Sequence, residues 1–180
     1  GAVALDPQPD HLTVANGIRG MQIYEDMFAD EDYYHRLMEF VTEAIIARIR
    51  AWRQYLGHEI KPERGFIADD AVQFVSVKTY REKVLPYHRR LMEALFGAGP
   101  HGIHLCGNVQ RHFPTLIREL NMRAFDTGFP LDFASLRGQV GEEVEIQGGV
   151  PVGELLSGPA DKIYARTREI LQSGIRRGGR

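Results

Sequence analysis

The sequence predicts an α/β fold of parallel βα units, arranged as an open and incomplete portion of a (β/α)8 TIM barrel. Three observations lead there. Short β-prone runs alternate with helical patterns about five times along the 180 residues, and strands alternating with helices at this spacing form right-handed βαβ units around a parallel sheet. The runs close on polar residues, as strands at the mouth of a barrel do. A closed eight-stranded barrel normally needs about 250 residues, so about five units fall short of closure. An open doubly wound sheet is the structural rival, but no GxGxxG or GxxxxGK[ST] phosphate loop follows any of the runs.

Along the chain, residues 1–11 hold prolines and a glycine without a clear period and read as an extended lead-in. Residues 12–17, "LTVANG", form a short β-prone run ended by a turn residue. The clearest helix follows, where Tyr34, Leu37, Met38, Val41, Ile45, Ile49, Trp52 and Leu56 recur at three- and four-residue steps, with Asp30 placed to cap it and Gly57 to end it. Residues 65–70, "GFIADD", predict a strand closing on two acids. Ser76 then caps a helix whose stripe is Tyr80, Val84, Leu85, His88, Leu91, Met92 and Leu95. Residues 103–106 predict the third strand, before a helix at 111–120. Residues 124–126 predict the fourth, before a helix at 131–140, and residues 144–147 the fifth. The last helix, at 160–172, turns Ile163, Ile170 and Leu171 inward.

Composition bounds the function. The chain is 43% apolar, enough for one sizeable core in a single domain spanning 1–180. Its 22 basic and 24 acidic residues are spread evenly, for a net charge of -2, which gives no field favouring nucleic acid or an acidic membrane surface. The arginines of the tail "IRRGGR" read as solvated. A single cysteine forbids an intrachain disulfide, and neither a secretory leader nor an apolar run of about 18 residues is visible, so a soluble cytoplasmic protein is expected.

In a parallel sheet the C-terminal ends of the strands share one face, so their closing residues converge. Those residues are Asn16, the pair Asp69 and Asp70, then His104 and Cys106, then Asp126, and finally Gln147. Each also has a plain role as turn former or cap. His104 and Cys106 stand two apart on a strand and so point to one side, close enough for imidazole nitrogen and thiolate sulfur to share an ion such as zinc. The competing reading makes Cys106 a small buried filler. Asp69 and Asp70 offer a general acid or base, but neighbours on a strand face opposite ways; Asp70 is taken as the one facing the axis. Asp70, Asp126 and Asn16 are thus the candidate catalytic residues, Gln147 a candidate for cofactor contact, and His104 and Cys106 the candidate metal ligands. Arg19, Arg64 and Arg111 could clamp an anion, and His88, on an apolar helix face, reads as packed.

Five stretches, "LTVANGIRG", "IADDAVQFVSVKTYREKVLPYHRRL", "GIHLCGN", "AFDTGFPLDF" and "VEIQGGVPVGELLSGPADKIYARTREIL", agree in order and spacing with one family. From about Leu12 onward the chain resembles the C-terminal half of the uroporphyrinogen decarboxylase superfamily. That superfamily includes zinc-dependent corrinoid:thiol methyltransferases, which act on methylcobamide and thiols such as coenzyme M.

The resemblance implies a (β/α)8 barrel of which this chain supplies later strands. The decarboxylases' strand-end tyrosine falls at Asn16 and their serine at Asp70, departures that count against uroporphyrinogen as substrate. "HLCG" resembles the methyltransferase branch, where the equivalent His and Cys bind zinc and a cysteine on the final strand completes the site. Here that implies zinc on His104 and Cys106, a third ligand past Arg180, a corrinoid as methyl donor, and a corrinoid protein and a small thiol as partners. Two alternatives stay open: a cofactor-independent uroporphyrinogen decarboxylase acting on a tetrapyrrole, and an incomplete, non-catalytic fragment that self-associates into a homo-oligomer through its open sheet edges.

Overall fold

A computed structural model describes residues 11–176; of the lead-in expected over 1–11, residues 1–10, like the tail at 177–180, lie outside the described residues, and His11 is not extended but opens the first helix. Three helices come first: α1 (His11–Arg19), α2 (Gln22–Ala29) and α3 (Glu31–Leu56). The α3 boundaries follow their chemistry. The Asp30 carboxylate accepts the Tyr33 N–H, and Gly57 closes the helix in the left-handed region at φ 69°. Tyr34, Met38, Val41, Ile45 and Ile49 are buried as the stripe requires, while Trp52, near the end, is 45% exposed.

The strand expected over 12–17 is helix α1 instead, and the cause is long-range. Asp69 accepts the backbone N–H groups of Leu12 and Thr13 and the Thr13 hydroxyl, at 3.2, 3.1 and 3.0 Å. A carboxylate from another element therefore caps the helix, satisfying donors that the first turn leaves free. Leu12 and Ala15, three apart, are fully buried, a helical and not a strand spacing. Asn16 accordingly closes no strand. It lies half-buried on α1, its Oδ1 without a hydrogen-bond partner among the described residues.

Among the described residues four strands, one fewer than expected, then form a wholly parallel sheet in sequence order: β1 (Phe66–Ala68), β2 (His101–Leu105), β3 (Met122–Thr127) and β4 (Glu145–Gln147). Between β1 and β2 run α4 (Val77–Thr79), a π-helical turn (Tyr80–Val84) and α5 (Leu85–Leu95), with the Ser76 hydroxyl accepting the Thr79 N–H. Helix α6 (Phe113–Leu120) joins β2 to β3, α7 (Phe133–Val140) joins β3 to β4, and α8 (Val152–Ser157) and α9 (Ala160–Gln172) follow. In α9, Ile163 and Ile170 are partly buried, but Leu171 is exposed, contrary to expectation. Consecutive parallel strands with helices between them are an arc of a (β/α)8 barrel.

Register fixes what each face of the sheet carries. Ile67, Ile103, Phe125 and Ile146 align in one row; the first three are fully buried beneath the helices, and Phe125 stacks on Phe113 at 4.2 Å. The next row, Ala68, His104, Asp126 and Gln147, points to the opposite face. Rows one residue apart therefore separate core from site.

Candidate metal centre

The sequence supplies this centre with donors at the C-terminal ends of adjacent strands. His104 is the fourth residue of β2, and Cys106 lies one residue past its end on the same side. Gly107, at φ 82°, turns the chain away immediately afterward; a side chain there would run into Gln73, whose Oε1 lies 2.0 Å from the Cβ position. Asp70 opens a 3-10 turn directly after β1, and its Oδ1 accepts the Cys106 N–H at 2.6 Å. This bond fixes the carboxylate beside the thiol.

The three donors converge. Cys106 Sγ lies 3.2 Å from His104 Nε2, and that nitrogen lies 3.7 Å from Asp70 Oδ1. Tetrahedral zinc with bonds of about 2.0–2.3 Å places neighbouring donors roughly 3.3–3.8 Å apart, so a thiolate, an imidazole and a carboxylate already stand near ligand spacing. A three-ligand set that leaves a fourth position open is the catalytic pattern for zinc. Asp126, the β3 partner of His104 in register, receives the other ring nitrogen: Nδ1 to Oδ2 is 2.9 Å. A carboxylate on the far nitrogen sets the ring orientation and turns Nε2 toward the other donors.

Electrostatics disfavours the thiolate of Cys106 in the protein alone. Burial, then the negative charges of Asp70 and Asp126, push the Cys106 thiol above its ordinary value. A divalent cation reverses that balance and favours the thiolate. His104, Asp70 and Asp126 are each one-third to one-half exposed, so the open side of the centre faces solvent.

Other expected residues fall elsewhere. Gln147 stands next to Asp126 in register, with its amide donating to Glu145 Oε1 at 3.1 Å. No hydrogen bond or ion pair among the described residues joins Asn16 to His104, Cys106, Asp70 or Asp126. Arg19 pairs with Asp26 at 2.7 Å, and Arg111 donates to the carbonyls of Asn108, Gln73 and Val75, so both guanidiniums are engaged within the protein. Arg111 thereby ties the turn carrying Asp70 to the loop after Cys106. Arg64 borders a cavity of about 490 Å³ at the N-terminal ends of the strands, away from the metal donors. Asp70 offers a carboxylate oxygen within ligand reach of His104 and Cys106.

Sequence reasoning also missed a cluster. Asp69, His11 and His88 are fully buried together, with His11 Nδ1 and His88 Nε2 at 3.1 and 3.2 Å from Asp69 Oδ2. The doubled acid "DD" was the only signal, and it splits: Asp69 faces the helices and Asp70 the mouth.

Fold and site together define an α/β-barrel domain with a sulfur, nitrogen and oxygen donor set at its mouth. The model of the family described as uroporphyrinogen decarboxylase (URO-D) matches residues 13–180, and the chain belongs to that family. It is 29% identical over 168 residues to a methylated-thiol--coenzyme M methyltransferase of Methanosarcina mazei, an alignment covering 91% of this chain and 43% of that protein. The solved structure of a methyltransferase from Methanosarcina mazei superposes with a TM-score of 0.70 at 17% identity, covering 93% of this chain and 49% of the other, a likeness of fold. The chain thus spans less than half the length of both. No helix among the described residues is long and apolar enough to cross a membrane.

Proposed function

We propose that this domain carries the metal-binding side of a zinc-dependent methyltransferase, one that moves a methyl group between a corrinoid and a small thiol. The observation carrying this reading is the convergence of Cys106 Sγ, His104 Nε2 and Asp70 Oδ1. The relative that acts on a methylated thiol and coenzyme M supports the choice of methyl transfer. When bound, zinc supplies Lewis acidity that lowers a thiol's pKa and holds it as a thiolate.

The chain's own residues divide the remaining work. His104 and Cys106 hold the ion, Asp70 closes the third position, and Asp126 keeps the His104 ring turned so that Nε2 stays available. The exposed side leaves room for a small thiol. Gln147, beside Asp126, is the residue of this row placed to contact a corrinoid, carried by a corrinoid protein. In this reading the domain works in the cytoplasm, and its sheet edges pair with further strands of a longer polypeptide or with another copy.

Zinc analysis after purification without added metal tests it. About one equivalent on the mouth centre, lost with Cys106→Ser and accompanied by a zinc–sulfur distance in X-ray absorption, is expected. Metal at this centre that is unaffected by Cys106→Ser would eliminate the ligand set. Metal-independent carboxylate loss from uroporphyrinogen would replace methyl transfer with decarboxylation.

A further inference from the structure

The mechanism makes no use of the second group of donors, on the helix side of the β1 end. His11 from the start of α1, Asp69 from the residue after β1, and His88 from α5 meet with all three side chains at 0–1% exposure. Both imidazoles approach the same carboxylate oxygen, at 3.1 and 3.2 Å, and the ligand atoms of all three residues lie within 4.8 Å of one another. Despite this proximity, His11 Nδ1, His11 Nε2 and His88 Nε2 have no hydrogen-bond partner among the described residues. Buried polar atoms at contact distance that do not hydrogen-bond to each other are what a ligand set looks like when its lone pairs serve a shared ion.

We propose that His11, Asp69 and His88 form a second, buried site for a divalent transition-metal ion such as zinc, distinct from the mouth centre and structural in role. Two imidazoles and one carboxylate are a recurrent set for zinc or ferrous iron. The outer contacts agree with ligation. Tyr80 Oη meets His88 Nδ1 at 2.8 Å, so the far nitrogen is engaged and Nε2 is the one turned toward Asp69. Asp69 Oδ1 is occupied by the Thr13 N–H and hydroxyl, whereas Oδ2 takes one backbone N–H, from Leu12, and has capacity for an ion.

Charge complements this geometry: one carboxylate and two imidazoles, all buried, make a donor set suited to a divalent cation. Adjacent acids at the end of one strand would then serve two ions, one on each face of the sheet.

The test uses the whole chain with the mouth centre removed by His104→Ala and Cys106→Ser together, loaded with zinc, dialysed and analysed for metal. About one equivalent should remain, bound through nitrogen and oxygen without sulfur by X-ray absorption, and it should disappear on adding His11→Gln. Should His11→Gln unfold by circular dichroism, the absorption spectrum of the double variant decides alone: two imidazoles in the scattering shell support the site. A folded double variant that retains no zinc, zinc without imidazole scattering, or zinc that persists in a folded His11→Gln protein overturns the proposal. Because the double variant lacks the mouth ligands, failure here leaves the methyltransferase reading unaffected.

Discussion

His104 Nδ1 and Asp126 Oδ2 stand 2.9 Å apart across the β2–β3 pairing, at positions directly opposed in register. The sheet itself therefore aligns the pair, since partner residues on adjacent strands project to the same face. One proton on Nδ1 satisfies Asp126 and leaves Nε2 as a lone-pair donor facing Cys106 and Asp70.

Asp126→Asn should keep the fold, because the side chain is 45% exposed, yet weaken zinc at the mouth by about 10–100-fold, the usual effect of losing an outer-shell carboxylate. Competition with a colorimetric chelator measures this. An unchanged affinity would show that Asp126 does not orient His104.

The Cys106 thiol should react slowly with iodoacetamide at neutral pH in metal-free protein, because burial, Asp70 and Asp126 all raise its pKa. Asp70→Asn removes the nearer of the two charges. Its alkylation midpoint should therefore move to lower pH, and at a fixed pH below that midpoint the rate should rise. Zinc should protect the thiol in the wild type and do so less well in Asp70→Asn. A midpoint that moves upward would contradict the placement of Asp70.

These residues differ in how visible they were before the structure. Helix α3 was legible because its cap, stripe and stop are all local: Asp30, the buried residues from Tyr34 to Ile49, and Gly57. His104 and Cys106 were legible because spacing within one strand fixes their side. Helix α1 was not, since the group that caps it, Asp69, is 56 and 57 residues away from the donors it satisfies. The β-prone look of "LTVANG" is overridden by that cap and by burial of Leu12 and Ala15. The approach of Asp70 to His104 and Cys106 was hidden for a similar reason. Its position depends on the β1–β2 pairing and on the Cys106 N–H, neither of which leaves a local pattern.

Asp69 makes stability acid-sensitive, with a sign that can be worked out. His88 has its pKa lowered to about 4 in the folded protein, so the unfolded chain binds more protons between about 6.5 and 4, and stability falls as pH drops through that window. The depressed Asp69 carboxyl contributes stability above its unfolded value of about 3.9, lost as pH falls further. Metal-free protein should thus lose Tm steadily from pH 7 downward. Asp69→Ala, which strands two backbone N–H groups at the start of α1, should cost about 3–5 kcal/mol in urea unfolding at pH 7. A loss below about 1 kcal/mol would mean that Asp69 does not anchor α1.

Gly107→Ala tests whether the loop after Cys106 holds the mouth centre in place. Gly107 has φ 82°, where a Cβ is strained, and that Cβ would sit 2.0 Å from Gln73 Oε1 and 2.5 Å from its Cδ. Backbone strain of about 1–2 kcal/mol applies even if the Gln73 side chain swings aside. If instead the loop shifts, the Cys106 N–H moves off Asp70 Oδ1, and Cys106 Sγ leaves its position 3.2 Å from His104 Nε2. The core beneath, with Ile103 and Leu105 fully buried, is untouched. Gly107→Ala should therefore lower Tm modestly while weakening zinc at the mouth at least tenfold, and leave alkylation of Cys106 by iodoacetamide faster because the thiol moves away from the Asp70 charge that raises its pKa. Equal zinc affinity in a destabilised protein would show that strain stays within the turn and that the donors are placed by the strands alone.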